Sequence, residues 1–265
     1  MSLGPALSRA GYRVALVSSR NGASAARLAA ATGAGTMVVN AERAVAADIV
    51  FLTVPDGAIA SEARRWTWRA GQAVVHCSGA LGLEALAAVR DAGGLAGCLH
   101  PLQTFPSREP APERLAGAWC GVEGDGSLEE TLRGMVTAMD ARPFSLAGVD
   151  RATYHAAAVF ASNFVVALMA AAGRAWEAAG LPGELAREAL APLLLASASN
   201  AAALPSLAAL SGPVARGDAG TVAGHLAALE AEPELRALYV ELTRELLRFA
   251  PTDPAARGVL LELLG

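Results

Sequence analysis

His100 and His155 are the side chains best suited to moving a proton near neutral pH, because the imidazole titrates in that range. His100 closes the apolar run Leu95–Leu99 and is followed at once by Pro101. At the end of a strand it can act as acid or base in the reduction of a carbonyl or imine, or serve only as a hydrogen-bonding support. His155 lies in the stretch from Asp150 to Asn163, where His155, Val159 and Asn163 are spaced four apart and fall on one helical face. Asn163 can orient a bound molecule while His155 exchanges a proton with it. The same two polar groups can instead find partners in an adjoining element, as buried polar groups must.

Further polar groups stand where apolar runs end. Val54-Pro55-Asp56 closes one such run and His76-Cys77-Ser78-Gly79 closes the next. In an open parallel sheet, ligands bind outside the carboxyl ends of the strands, so these residues face a binding crevice. Ser78 and Gly79 can offer a hydroxyl and a close backbone amide, or form a capping serine and a turn glycine. An earlier strand ends in Ser18-Ser19-Arg20. A dinucleotide-binding unit that prefers NAD carries an acidic residue near this position; two hydroxyls and an arginine suit the 2′-phosphate of NADP. The alternative for Arg20 is a solvated loop arginine. Arg216, in Gly212-Pro213-Val214-Ala215-Arg216-Gly217-Asp218, can hold a carboxylate through paired hydrogen bonds, or belong simply to a helix connection that Asp218 caps.

Composition narrows the classes. The 265 residues carry a net charge of −4, which argues against a nucleic-acid binder. All 21 basic residues are arginine, so lysine Schiff bases, the Walker lysine and the Tyr-x-x-x-Lys pair are excluded. Cys77, Cys98 and Cys120 have no metal-ligand spacing and lie in apolar runs, which predicts buried thiols, no metal and a cytoplasmic protein. The apolar run from Ala156 to Gly173 has the length of a membrane span but carries Ser162 and Asn163 at its middle. A buried helix of a soluble protein is expected there, with no membrane partner.

The elements that position these groups alternate. Strands are expected at Arg13–Ser18, Thr36–Val39, Ile49–Val54, Gln72–Cys77, Leu95–Leu99 and Trp119–Glu123, with helices at Ala23–Thr32, from Gly57 to Arg69 and at Leu83–Arg90. This is an α/β fold with a doubly wound parallel, Rossmann-like sheet. Strand signals stop near Pro143–Leu146, and only helical periods follow. The expected domains are therefore 1–148, binding a dinucleotide, and 149–265, an all-α part for substrate binding and homodimerisation. Leu3 and Gly4 open a short helix and read as the end of a G-x-G-x-x-G phosphate turn, with Gly4 as its third glycine. The strand before that turn is not in the sequence, which holds half a phosphate site. Its place in the sheet would lie between the strands at Val14–Ser18 and Ile49–Val54, and a late start codon or a trimmed chain is the expected cause.

These residues together give a resemblance that spans nearly the whole chain. It rests on Asp48–Pro55 with Asp56, His76–Gly79, His100-Pro101, the stretch from Tyr154 through His155 to Asn163, and Gly212-Pro213 with Arg216-Gly217-Asp218. The chain resembles uncharacterised two-domain bacterial oxidoreductases with a Rossmann-like half. Their helical half is similar to that of the 6-phosphogluconate dehydrogenase superfamily, with ketopantoate reductase, pyrroline-5-carboxylate reductase, prephenate dehydrogenase and 3-hydroxyisobutyrate dehydrogenase as relatives. The resemblance implies an NADP cofactor, a dimer formed by the helical half, and hydride transfer to or from a small carboxylate-bearing carbonyl, imine or alcohol between the domains. Ser78 and Asn163 would orient the substrate, His100 or His155 would move the proton, and Arg216 would hold the carboxylate. Val159 stands where the hydroxyacid enzymes have the lysine of Lys-x-x-x-Asn, so that mechanism does not carry over. Two alternatives stay open: a deazaflavin as the cofactor, and a degenerate Rossmann dimer that binds a nucleotide, metabolite or partner without catalysis.

Overall fold

The computed structural model describes residues 2–33, 35–107 and 109–265. The chain divides into two compact units, Met1–Ser162 and Asn163–Gly265. In the first, helices and short strands alternate: α1 (Leu3–Arg9), β1 (Leu16–Val17), α2 (Gly22–Thr32), β2 (Met37–Val38), α3 (Ala41–Ala44), β3 (Ile49–Leu52), α4 (Asp56–Arg65) and β4 (Ala73–His76). Then come α5 (Ala87–Asp91), β5 (Leu95–Pro101), β6 (Trp119–Gly124), α6 (Leu128–Ala138), β7 (Arg142–Ser145) and α7 (Arg151–Ala161). Side-chain caps set several helix starts. Asn21 accepts from the Ser24 amide at α2, Asn40 from the Arg43 amide at α3, and Asp150 from the Ala152 amide at α7.

The strands form two sheets. β1 pairs with β2 in parallel, and a five-stranded sheet runs β3-β4-β5-β6-β7. β1 and β3 lie in different sheets. β3, β4 and β5 are parallel, as are β6 and β7. The parallel-dominant sheet expected from the alternation is present, with one exception: β5 and β6 are antiparallel. A parallel return needs a long crossover, usually a helix, and among the described residues the segment between β5 and β6 holds only a 3-10 turn at Pro112–Leu115. β7, at the point where strand signals were expected to stop, is an additional strand. The helix expected from Gly57 to Arg69 ends at Arg65: Trp66 is extended, and the buried Trp68 indole donates to the Ala63 carbonyl at 2.6 Å.

Alternation along the strands divides the core into two layers. Val75, Leu99 and Val122 face one layer with Leu7 of α1 and Leu132 and Val136 of α6. Val74, Ala96 and Cys98 face the other with Ile59 and Ala63 of α4 and Val89 of α5. β4 is buried along its whole length, as a parallel strand covered on both faces should be.

The second unit is helical: α8 (Asn163–Ala178), α9 (Gly183–Ala203), α10 (Ser206–Ala209), α11 (Pro213–Arg216), α12 (Ala219–Ala228), α13 (Pro233–Phe249) and α14 (Pro254–Leu264). Its core gathers Val214, Val222, Leu226, Val240, Leu247 and Leu260 from α11 to α14. α8 and α9 pack on each other, yet α8 buries no residue and α9 buries only Ala186. The buried helix expected at Ala156–Gly173 is therefore corrected twice. The helix breaks at Ser162, and the most apolar 18-residue window of Arg151–Ala178, at a mean hydropathy of 1.9, is 0% buried within the chain.

Because β4 has ladder partners on both sides and β1 has one, native-state hydrogen exchange should protect the Val74 and Val75 amides most. Leu16 and Val17 should exchange orders of magnitude faster. Equal protection of the two strands would contradict this topology.

Candidate active site

The carboxyl end of β4 runs into a turn whose polar groups are all engaged. His76 is fully buried, its Nδ1 accepting from the Ser78 amide at 3.2 Å and its Nε2 facing the Gly82 carbonyl at 3.2 Å. A carbonyl only accepts, so Nε2 carries the proton and the ring is neutral. Burial pushes its pKa below the ordinary histidine value, in agreement with that tautomer. Ser78 Oγ donates to Asp56 Oδ2 at 2.7 Å and accepts from the Ala80 and Leu81 amides, each at 3.1 Å. A hydroxyl has one proton and two lone pairs, so this one is fully used in joining the end of β4 to the start of α4.

Gly79 follows in that turn, and its missing side chain makes room for two histidines. A Cβ there would lie 2.7 Å from His100 Cε1, 2.8 Å from His100 Nε2 and 3.0 Å from His155 Cδ2. His100 comes from β5 and His155 from α7, with ring centroids 6.3 Å apart. The other nitrogen of His100, Nδ1, is 2.7 Å from the Tyr154 hydroxyl, with the rings edge to face. Burial first, then the neighbouring His155 and Arg151, lower the His100 pKa to about 4. Burial raises that of Tyr154 to about 12. At neutral pH the pair is thus a phenol and a neutral imidazole. The phenol can release a proton to an acceptor and recover one through the ring.

Arg151 ties the start of α7 to the sheet. Its Nη2 donates to Glu123 Oε2 on β6 and its Nη1 lies 3.6 Å from Cys98 Sγ on β5. The Cys98 thiol, its pKa raised by burial to about 11, donates in turn to the Ser78 carbonyl at 3.4 Å.

The structure thus brings together Ser78, Gly79, His100 and His155 of the residues singled out in the sequence. Val54 and Pro55 end β3 and lead into α4, with Val54 packed against the core. Ser18, Ser19 and Arg20 are exposed after β1, where Ser19 Oγ accepts from the Asn21 amide at 3.2 Å. Leu3 and Gly4 lie in the first turn of α1, and Gly4 permits close packing: a Cβ would approach Leu28 and Thr32 of α2 to 3.3 Å. Asn163 begins α8 and Arg216 ends α11, both in the second unit and both exposed. The break at Ser162 interrupts the single helical face expected to carry His155, Val159 and Asn163. Tyr154, Arg151 and Glu123 are the site residues that sequence reasoning passed over. Arg151 and Tyr154 are three apart, and Arg151 and His155 four apart, behind a capping aspartate. That spacing was the available signal.

Residues 1–101 match a Rossmann-like domain, and residues 118–246 match the domain of unknown function DUF2520. The N-terminal domain is thus Rossmann-like, and a helical region follows it. No curated protein matches it. Among solved structures, this chain is similar to a proposed NADP oxidoreductase of Bacteroides fragilis, at 24% identity and a TM-score of 0.74 over 92% of each chain. A protein of Thermotoga maritima is 28% identical, with a TM-score of 0.70 over 88% of this chain and 89% of that one. An imine reductase of Myxococcus stipitatus, solved with NADP+, is 18% identical with a TM-score of 0.62 over 98% and 95%.

His100 is neutral in the folded chain but titrates near its ordinary value when unfolded. Below that value the unfolded state binds the extra proton, so stability should fall as the pH drops from about 7 towards about 4. Denaturant titrations of the wild type and His100→Asn across this range should show a shallower fall in the variant. Gly79→Ala should cost about 1–3 kcal/mol by forcing both imidazoles to move.

Proposed function

We propose that this chain is an NADP-dependent reductase of a small carbonyl or imine, with Tyr154 and His100 as its proton-handling pair. The 2.7 Å contact between the Tyr154 hydroxyl and His100 Nδ1, beside the side-chain-free Gly79, carries this reading. The donor set at the carboxyl ends of the parallel strands fits a dinucleotide. Ser18, Ser19 and Arg20 after β1 would hold a 2′-phosphate, while Val54, Pro55 and Gly79, after β3 and β4, would bound the nicotinamide end. NADPH, when bound, supplies the hydride to the substrate carbon. Tyr154 delivers its hydroxyl proton to the substrate oxygen or nitrogen. His100, neutral with its one ring proton on Nδ1, donates to the Tyr154 oxygen, stabilises the phenolate as it forms and passes that proton to it while Nε2 takes one from solvent. The fold likeness to reductases solved with NADP+ and NADPH supports the cofactor class.

We also propose that a second copy of the chain covers α8 and α9, giving a homodimer. Val166 of α8 and Leu193 and Leu195 of α9 are 72, 65 and 67% exposed, more apolar surface than a soluble monomer leaves uncovered. A membrane suits this surface poorly. Its run is broken at Ser162, and near its end Arg174 is paired with Glu232 at 3.0 Å and Glu234 at 3.5 Å.

NADPH titration followed by fluorescence should show saturable binding, and Arg20→Ala should weaken NADPH far more than NADH. Absence of NADPH binding would overturn the cofactor assignment. With a panel of small oxo acids and cyclic imino acids, Tyr154→Phe should lower kcat by about 100- to 10 000-fold while leaving NADPH affinity within twofold. Light scattering should give twice the 26.8 kDa chain mass, and Val166→Asp with Leu193→Asp should halve it. A monomeric wild type in detergent-free buffer would refute the dimer.

A further inference from the structure

We infer that Arg151 is a positioning residue for the Tyr154–His100 pair: the Glu123–Arg151–Cys98 bridge holds α7 against the sheet and sets where the Tyr154 hydroxyl meets His100. This inference rests on the catalytic reading above but extends to residues outside it.

Three observations carry it. First, helices are ordinarily fixed by an apolar stripe, whereas Arg151 is the one buried residue of α7 among the described residues. Its side chain is 9% exposed, and its guanidinium reaches two strands at once, Glu123 on β6 and Cys98 on β5. Secondly, Tyr154 lies three residues on, on the same side of the helix, so the anchored turn also carries the phenol. Its ring packs edge to face on Phe144 of β7, with centroids 6.0 Å apart, which fixes the ring but not its height along β5. Thirdly, the bridge continues through the Cys98 thiol to the carbonyl of Ser78, the residue before Gly79. The two walls against which His100 sits, α7 and the β4 turn, thus meet at one guanidinium.

The charge of Arg151 acts in the same place. The groups facing His100 are Tyr154, His155 and Arg151 from α7, Asp56 from α4 and His76 from β4. Arg151 and His155 disfavour a proton on His100, and Asp56 favours one. A neutral His100 carries one ring proton, and with that proton on Nδ1 it donates to the Tyr154 oxygen and leaves the phenol proton free for the substrate.

The test is an NMR titration of the His100 ring together with steady-state kinetics. Arg151→Gln should raise the His100 midpoint by about one pH unit and lower kcat more than about tenfold, with the KM for NADPH within twofold. Arg151→Lys keeps the charge and one contact, and should restore the midpoint while recovering kcat only in part. If the carboxylate left unpaired in Arg151→Gln prevents folding, Arg151→Gln with Glu123→Gln removes both charges, and the same rise is expected. An unchanged His100 midpoint in a folded variant that merely melts earlier would make Arg151 structural and overturn the inference. The NMR arm needs no turnover. A wild type that reduces nothing but shows the midpoint shift would sink the reductase reading and leave the bridge standing.

Discussion

The candidate site depends on the turn that ends β4. Its neutral, fully buried His76 can only be accommodated if both ring nitrogens find backbone partners, and those partners, the Ser78 amide and the Gly82 carbonyl, define the turn. Once the turn has that shape, the Ser78 hydroxyl reaches Asp56 at the head of α4, and Gly79 comes to rest over His100. The geometry around His100 is thus a consequence of satisfying one buried imidazole. β4, which carries this constraint, is buried along its whole length and paired on both sides.

Much of the first unit was legible in the sequence because its strands are continuous apolar runs that end in polar residues. Ile49–Leu52, Ala73–His76 and Leu95–Pro101 are such runs, and their carboxyl ends do carry His76, Ser78, Gly79 and His100. The antiparallel turn of β6 was not legible, since an apolar run carries no sign of its direction; only the lack of a crossover helix hints at it. Tyr154 was missed for a related reason. A tyrosine at the start of an alanine-rich helix reads as packing, and its role depends on a histidine 54 residues earlier in the chain. Ser78 shows the converse. Its type and place suggested a ligand contact, while its three hydrogen bonds use the hydroxyl within the protein.

The second unit divides its apolar residues unevenly. α13 buries Leu235, Val240, Thr243 and Leu247, a spacing that keeps one stripe inward, whereas α9, with Pro192 within it, buries almost nothing. A single chain of this length has enough apolar side chains for a larger core than this unit builds. The remainder is held on α8 and α9, which pack on each other and bury almost none of it.

The split sheet has a consequence for how the chain behaves among its neighbours. The side of β3 away from β4 has no ladder partner among the described residues, and a parallel strand with an open edge is a template for any extended backbone that drifts against it. Proteins commonly blunt such edges with lysine, which this sequence lacks altogether. What guards β3 instead is its length of four residues and the residues that bracket it, exposed Asp48 before and exposed Pro55 soon after. Those two side chains keep the open edge short and solvated, so replacing them with apolar residues would lengthen the template that β3 offers to another chain.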